Sequence, residues 1–425
     1  MSQKSLTSDA NSFHQWQRKF LVFLSVLIIL SQVIVSTPLS WGTPRVKTIS
    51  IGVISPFNEW AYYDEIMFKQ IVEPEINEYI AKLPRNRFTP VTQVEFIIES
   101  ADWDPDKNLE IVKQFHEDGV NLLIGGLYTY LAASSLDYVN SHDMIMISPG
   151  STGTELSLAG DNLFRLVPDD VGQVNAIAAA LNSKGVDNLV IIQSNDDRAS
   201  ALVNALASSY AGTIIASIIY PMGTSDYTEY LTQADDILSE NPGANVLLLS
   251  LDEAGPILYQ SMDYLELSSV EWFGTDGTAE APGILDIAPE QAANVKLYSP
   301  LAAFSSETKS SSKHQYMKDL FYETLEVPFG FYTACEIDAA WLLVLGVLET
   351  QRIIEPAVTG QDIVDVLPDI ASRYYGYSGW CELNEAGDRV PSNYELHGYG
   401  SVDGEPYYMI YGSYNTASDI ITWYP

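Results

Sequence analysis

From Thr48 onward, short runs of apolar, largely β-branched residues alternate with longer stretches of helical period. The runs Ile49–Ser55, Val94–Ser100, Asn121–Gly125 and Met144–Ile147 read as buried strands, and Leu163–Val167 closes the first series. Between them lie a helical stretch over 64–81, which Pro74 interrupts, and a second that opens at Asp104-Pro105-Asp106. That opening combines an N-cap, proline at the first position and an acidic first turn, and the helix stops near Gly119. A third helix ends near Asn140.

The pattern then restarts. Asp170 is expected to cap a helix to Lys184, and strands follow at Leu189–Ser194, Thr213–Tyr220, Val246–Leu249 and Trp272-Phe273. Helical stretches 199–210 and 227–240 lie between them, and 253–265 with 272–274 completes the second half. Strands alternating with helices of this length form right-handed βαβ units and a parallel sheet. Two such halves place a ligand crevice at the carboxyl ends of their strands. Past Pro300 the chain is helix-rich (313–325 and 332–348) and ends in β-like segments, 407–411 and 420–423. The expected fold is therefore α/β, with two doubly wound parallel-sheet lobes.

Length agrees, since 425 residues exceed one modest core. Charge removes some partners: 56 acidic against 21 basic residues give a net charge of −35, a surface that repels nucleic acid and anionic lipid. The two cysteines, Cys335 and Cys381, form no CxxC and no Cys/His cluster, which excludes a zinc finger and a disulfide-dense mini-domain. A bridge between them and two free buried thiols both fit.

The first 42 residues read as an export segment. Arg18 and Lys19 precede an apolar run from Phe20 to Val35, and a polar, small-residue exit follows through Gly42. The run is shorter than the roughly 20 residues of an untilted membrane helix. Cleavage near 36–42 and retention as an anchor both fit. No cysteine follows the run to carry a lipid, and no second apolar span of that length is expected later. The folded part is expected outside the cytoplasm.

Catalytic chemistry finds no foothold. His14, His116, His142, His314 and His397 show no HExxH spacing, and there is no GxSxG, Walker loop or GxGxxG. The expectation is a protein with no enzymatic activity, cofactor or metal.

The stretch from Leu122 to Asp170 carries a family resemblance. It holds a strand ending in Ile124-Gly125, a polar Thr129 opening the next helix, Ile147-Ser148-Pro149 with small residues after it, then Phe164-Arg165 and Pro168-Asp169-Asp170. With Ile51-Gly52, Gly274-Thr275-Asp276-Gly277, Glu336-Ile337-Asp338, Gly376 to Gly379 and Asn384 to Asp388, it resembles the leucine/isoleucine/valine-binding family of type I periplasmic binding proteins. The resemblance runs from about Ile49 to Tyr411. It implies three hinge crossings, near Pro168, Ser299 and Gly379. Lobe one would then be 48–168 plus 299–378, and lobe two 169–298 plus 379–425. It also implies a monomer that closes on a small solute, an amino acid of branched-chain type or a related amide, and delivers it to an ATP-binding-cassette permease. A sensor reporting to a separate signalling protein is the alternative, and an exported enzyme a remote one.

Site residues follow by the same resemblance. Thr129 stands where relatives bind a carboxylate, at a helix start whose free N–H groups suit an anion. An ordinary N-cap would look the same. Gly150, Ser151 and Thr152 match the loop that binds an α-ammonium, and Asp276 matches an acid that reaches it from the other lobe, although Asp-Gly is also a common turn. Trp60, Tyr62 and Tyr128 are expected to rim the cleft. Two departures stand out. Asp196-Asp197 is followed by Arg198-Ala199 where relatives have Tyr-Gly, and the loop 56–64 is aromatic where relatives have glycines.

Overall fold

The computed structural model describes residues 46–83, 91–351, 358–390, 393–402 and 405–425. The export segment and the stretch 36–42 lie outside the described residues. By its contacts the chain divides into a small unit, Met1–Thr48 with Ile80–Gln93, and a large one, Ile49–Tyr79 with Val94–Pro425. The described part of the small unit is limited to element ends; the site lies in the large unit.

The first sheet holds β1 (Val46–Ser55), β2 (Val91–Ser100), β3 (Leu122–Ile124), β4 (Ile145–Ser148) and β5 (Leu163–Arg165), in the order β2-β1-β3-β4-β5. The ladders β1–β3, β3–β4 and β4–β5 are parallel. The second sheet holds β6 (Asn188–Ser194), β7 (Thr213–Tyr220), β8 (Asn245–Leu249) and β9 (Trp272–Phe273), parallel in the order β7-β6-β8-β9. Alternate residues of β6 enter different cores. Val190 and Ile192 join Val246, Leu248 and Trp272, while Leu189 and Ile191 join Leu247, Leu249 and Phe273. Burial on both faces explains why these strands are unbroken apolar runs rather than alternating ones. The molecule is thus an α/β protein of two doubly wound lobes, the type I periplasmic-binding-protein fold.

A third sheet, β10 (Ser299–Ala302), β11 (Tyr394–Val402), β12 (Glu405–Asn415) and β13 (Ile420–Trp423), is antiparallel throughout. The last two strands contain the expected β segments; β11 and β10 were not legible, because polar and glycine residues punctuate them.

Pro74 does not end its helix. A π-helical segment, Phe68–Val72, joins helices Asn58–Met67 and Glu73–Lys82, placing Pro74 in the first turn of the latter, where its missing N–H costs little. Asp104 caps as expected, accepting from the N–H groups of Asp106 and Lys107. Asp169, rather than Asp170, caps the helix Asp170–Lys184.

The helix Phe331–Gln351 corrects the expectation of no second long apolar span. It is a core helix, with Ala334, Ile337, Ala339, Leu342, Leu343 and Val344 all buried. Cys335, on the same helix, and Cys381 are both free and buried.

Two buried arginines tie the end of β5 to the segment 376–389. Arg165, fully buried, donates from Nε to Asp388 at 2.5 Å and from Nη1 to the Gly153 carbonyl at 2.7 Å. Arg389 donates to the carbonyls of Leu166 and Trp380 and to the hydroxyl of Ser378. For the Arg165–Asp388 ion pair desolvation offsets much of the attraction, so its loss from one side would cost more than the pair itself contributes.

Candidate functional site

Parallel sheets bring their loops together at one edge. The carboxyl ends of β3 and β4 carry Tyr128, Thr129 and the 149–153 loop; those of β6, β8 and β9 carry Arg198, Asp252 and Asp276. The two sets meet. Burial pushes the Tyr128 hydroxyl up to about 12, and the neighbouring charge of Asp252, the Tyr130 hydroxyl and Asp276 add to it, with Arg198 opposing. Burial and Asp252 likewise raise Tyr130.

The first-lobe side is a wall of rings. Trp60 packs edge-on against Phe57 at 5.9 Å between centroids, Phe57 stacks on Trp103 at 4.6 Å, Trp103 leans on Tyr128 at 5.0 Å, and Tyr128 lies 6.1 Å from Tyr130. Trp103 and Asp102 hold left-handed backbone, with φ of 62° and 54°. That is costly for a bulky residue and turns the indole onto Phe57. Tyr62 stands apart, 65% exposed and packed only on Tyr63 among the described rings.

Beneath the wall two carboxyls are buried together. Burial pushes Asp64 up to about 7, opposed by a hydrogen bond from Ser55, which donates at 2.5 Å. Burial, and then the neighbouring Asp64, hold Glu336 well above the usual carboxylate range, and the indole N–H of Trp60 bonds to it.

The small-residue loop is tightly built. Ser148 accepts from the N–H of Ser151 at 3.0 Å and from its hydroxyl at 2.8 Å. Gly150 is needed for close packing and not for a left-handed φ: a Cβ there would lie 2.8 Å from the Leu127 carbonyl oxygen. Thr129 is the first residue of the helix Thr129–Ser141, and Tyr128, its N-cap, makes no side-chain capping bond. The Thr129 hydroxyl instead accepts from the N–H of Gly153 at 3.0 Å.

On the second-lobe side Asp276 is already engaged. Arg198 donates from Nη2 to its carboxylate, with the two side chains 21% and 15% exposed, and the N–H of Gly277 donates to the same oxygen at 2.8 Å. Gln173 joins this group to the start of the helix Asp170–Lys184, accepting from the N–H of Asp276 at 3.1 Å and donating to Asp170 at 3.0 Å. Burial pushes the Asp170 carboxyl up to about 6; Arg198 and a hydrogen bond from Thr152 oppose it, and Asp276 reinforces it. Tyr332, at the start of the long core helix, adjoins Asp276 and Asp170.

Thr129, Thr152, Tyr128 and Asp276 are therefore brought to one place, Gly150 and Ser151 form its loop, and Trp60 joins it through Phe57. Phe57, Trp103, Tyr130, Asp170, Arg198 and Asp252 were missed. The aromatic density of 56–64 and the departure at Arg198 were the available signals. A separate hollow of about 260 Å³, lined in part by Asp169, Gly172, Asn384 and Arg389, lies outside this cluster. No group of three or more His, Cys, Asp or Glu suited to a metal occurs among the described residues.

Two α/β lobes with charged, aromatic and small-residue loops converging on their strand ends define a ligand-binding protein. Residues 82–401 match the family described as receptor family ligand binding region, and the chain belongs to that family. An uncharacterized protein of Methanocaldococcus jannaschii is 25% identical over 373 residues, 83% of this chain and 86% of its own. Among solved structures, the branched-chain amino acid transporter substrate binding protein LivJ of Streptococcus pneumoniae, in complex with isoleucine, superposes with a TM-score of 0.69 at 19% identity, over 86% of this chain and 99% of that one. A solute binding protein of an ABC transporter from R. palustris, in complex with benzoate, gives 0.64 at 15% identity, over 86% and 96%. These structures are transport receptors and not enzymes, and this chain shares their fold.

Proposed function

We propose that this chain is an exported solute receptor that captures a small carboxylate-bearing ligand, an amino acid or a relative of one, between its lobes and presents the closed form to an ABC-type permease. The observation that carries this reading is the convergence of Tyr128, Thr129 and the 149–153 loop with Arg198, Asp252 and Asp276.

The first turn after Tyr128 lacks a side-chain cap, so its backbone N–H groups and the positive end of the helix suit the ligand carboxylate, with Thr129 beside them. Trp60, Phe57, Trp103 and Tyr128 offer the apolar body a wall, and Tyr62 an outer rim. Gly150 and Ser151 let the ligand approach closely, and Thr152 and Asp276 face its remaining polar group.

Lobe one comprises 48–168 and 299–378 and lobe two 169–298 and 379–425, with hinges near Pro168, Ser299 and Gly379, where φ is 104°. Contacts shared by both lobes favour the closed state. The receptor acts as a monomer, and residues 1–42 direct its export.

Calorimetry of the region from Thr48 against amino acids, their amides and aromatic acids tests the reading; saturable binding of at least one is expected, and heat from none contradicts it. Mass spectrometry of the native N-terminus tests export: a start near 36–42, or an intact terminus on surface-exposed protein, agrees, and recovery from the cytoplasm does not.

A further inference from the structure

The polar side of the cleft contains its own cation. Arg198 is the second residue of the helix Asp197–Ser209, where the positive end of the helix opposes a guanidinium. No gain to the helix explains an arginine there. Its Nη2 is bonded to Asp276, and Asp170 and Asp196 are the other carboxylates whose charge it feels.

The two cleft acids are already engaged from within, Asp276 through the single oxygen Oδ1. Asp276 holds Arg198 and the N–H of Gly277. Asp170 holds the amide of Gln173 and the hydroxyl of Thr152. Asp196, the helix cap, accepts from the N–H of Ala199 and from the hydroxyl of Ser194. A ligand ammonium arriving at Asp276 would have to displace a guanidinium from a largely desolvated pair, or share a carboxylate with a like charge. Either route opposes binding.

Resting on the receptor reading above, we infer that Arg198 is the specificity-determining residue of this cleft, and that it sets the site for aromatic or branched aliphatic carboxylates without an α-ammonium group. The carboxylate keeps its place at the helix start after Tyr128. The body lies on the wall formed by Phe57, Trp103 and Tyr128. The position an α-ammonium would take is held by the protein.

Two ligand pairs that differ only in the ammonium group test this: hydrocinnamate against L-phenylalanine, and isocaproate against L-leucine. Each is titrated calorimetrically into the wild type, Arg198→Gln and Arg198→Lys, with thermal unfolding recorded for all three. The wild type is expected to bind at least one ammonium-free acid roughly tenfold or more tightly than its amino-acid partner. Arg198→Lys should keep that order, and Arg198→Gln should reverse it. The inference is overturned by a wild type that binds the amino acids as tightly, by a ratio that Arg198→Gln leaves unchanged, or by a wild type that binds none of the four. In each case the receptor reading is judged separately, since it stands if any other small solute closes the protein in solution scattering and falls only if none does.

Discussion

The two sides of the candidate site bury their carboxylates differently, one without a cation among the described residues and one with Arg198. Under the ring wall, Asp64 and Glu336 are buried side by side, and each is pushed towards its neutral form first by burial. Across the cleft Asp276 pairs directly with Arg198, and the same guanidinium opposes the burial that raises Asp170. Protonation leaves the first wall uncharged and leaves its rings as the dominant surface; a counter-ion leaves the second wall charged and directional. Under the proposed function an apolar body lies on one and a polar head between them, a division that follows from how each side meets the cost of desolvation.

The largest expected loss comes from breaking the ionic half. Arg198→Leu leaves Asp276 and Asp170 without their cation, and chemical denaturation should show a loss of about 3 kcal/mol. No loss would mean the pair is solvent-screened and the contrast between the halves false.

The neutral half should respond with the opposite sign. The Asp64 carboxyl is raised to about 7 from an unfolded value near 4, so the folded state binds more protons between those limits. Its contribution is fully present below about pH 4 and is lost as pH rises through 7. Asp64→Asn cannot ionise and should gain on the wild type across that window, reaching about 4 kcal/mol at pH 8 and close to nothing at pH 4. A difference that is flat with pH would show Asp64 charged throughout.

Smaller effects separate wall from frame. Trp103→Ala removes the central ring and should weaken ligand affinity by about 1–2 kcal/mol, read by calorimetry. Thr129→Ala removes the acceptor for the N–H of Gly153 and should cost stability about 1 kcal/mol, read from the unfolding midpoint. Equal losses of affinity in both variants would merge wall and loop into one unit.

The fold was largely legible because burial on both faces turns a parallel strand into a continuous apolar run, and because Asp104-Pro105 and Gly119 punctuate a helix by local chemistry alone. Phe164-Arg165 and Asn384 to Asp388 could be picked out separately, and they meet in the bond from Arg165 to Asp388. The site was half legible. Thr129, Thr152 and Asp276 could be placed at strand ends, but their partners could not. Thr152 turns to Asp170, Thr129 to Gly153, and Asp276 to a residue 78 positions earlier. Trp103 was hidden for another reason: it follows a strand as an unremarkable loop residue, and only its left-handed backbone brings it onto Phe57. Such pairings depend on which strands are neighbours, a property of the assembled sheets and not of any one segment.

Closure of the lobes on a solute is the central claim, and small-angle scattering tests it most directly. The region from Thr48 is measured alone and saturated with any solute that calorimetry shows to bind. The account predicts a smaller radius of gyration in the saturated protein, as shared contacts draw the ring wall and the Arg198–Asp276 side together. An unchanged radius at saturation would contradict it.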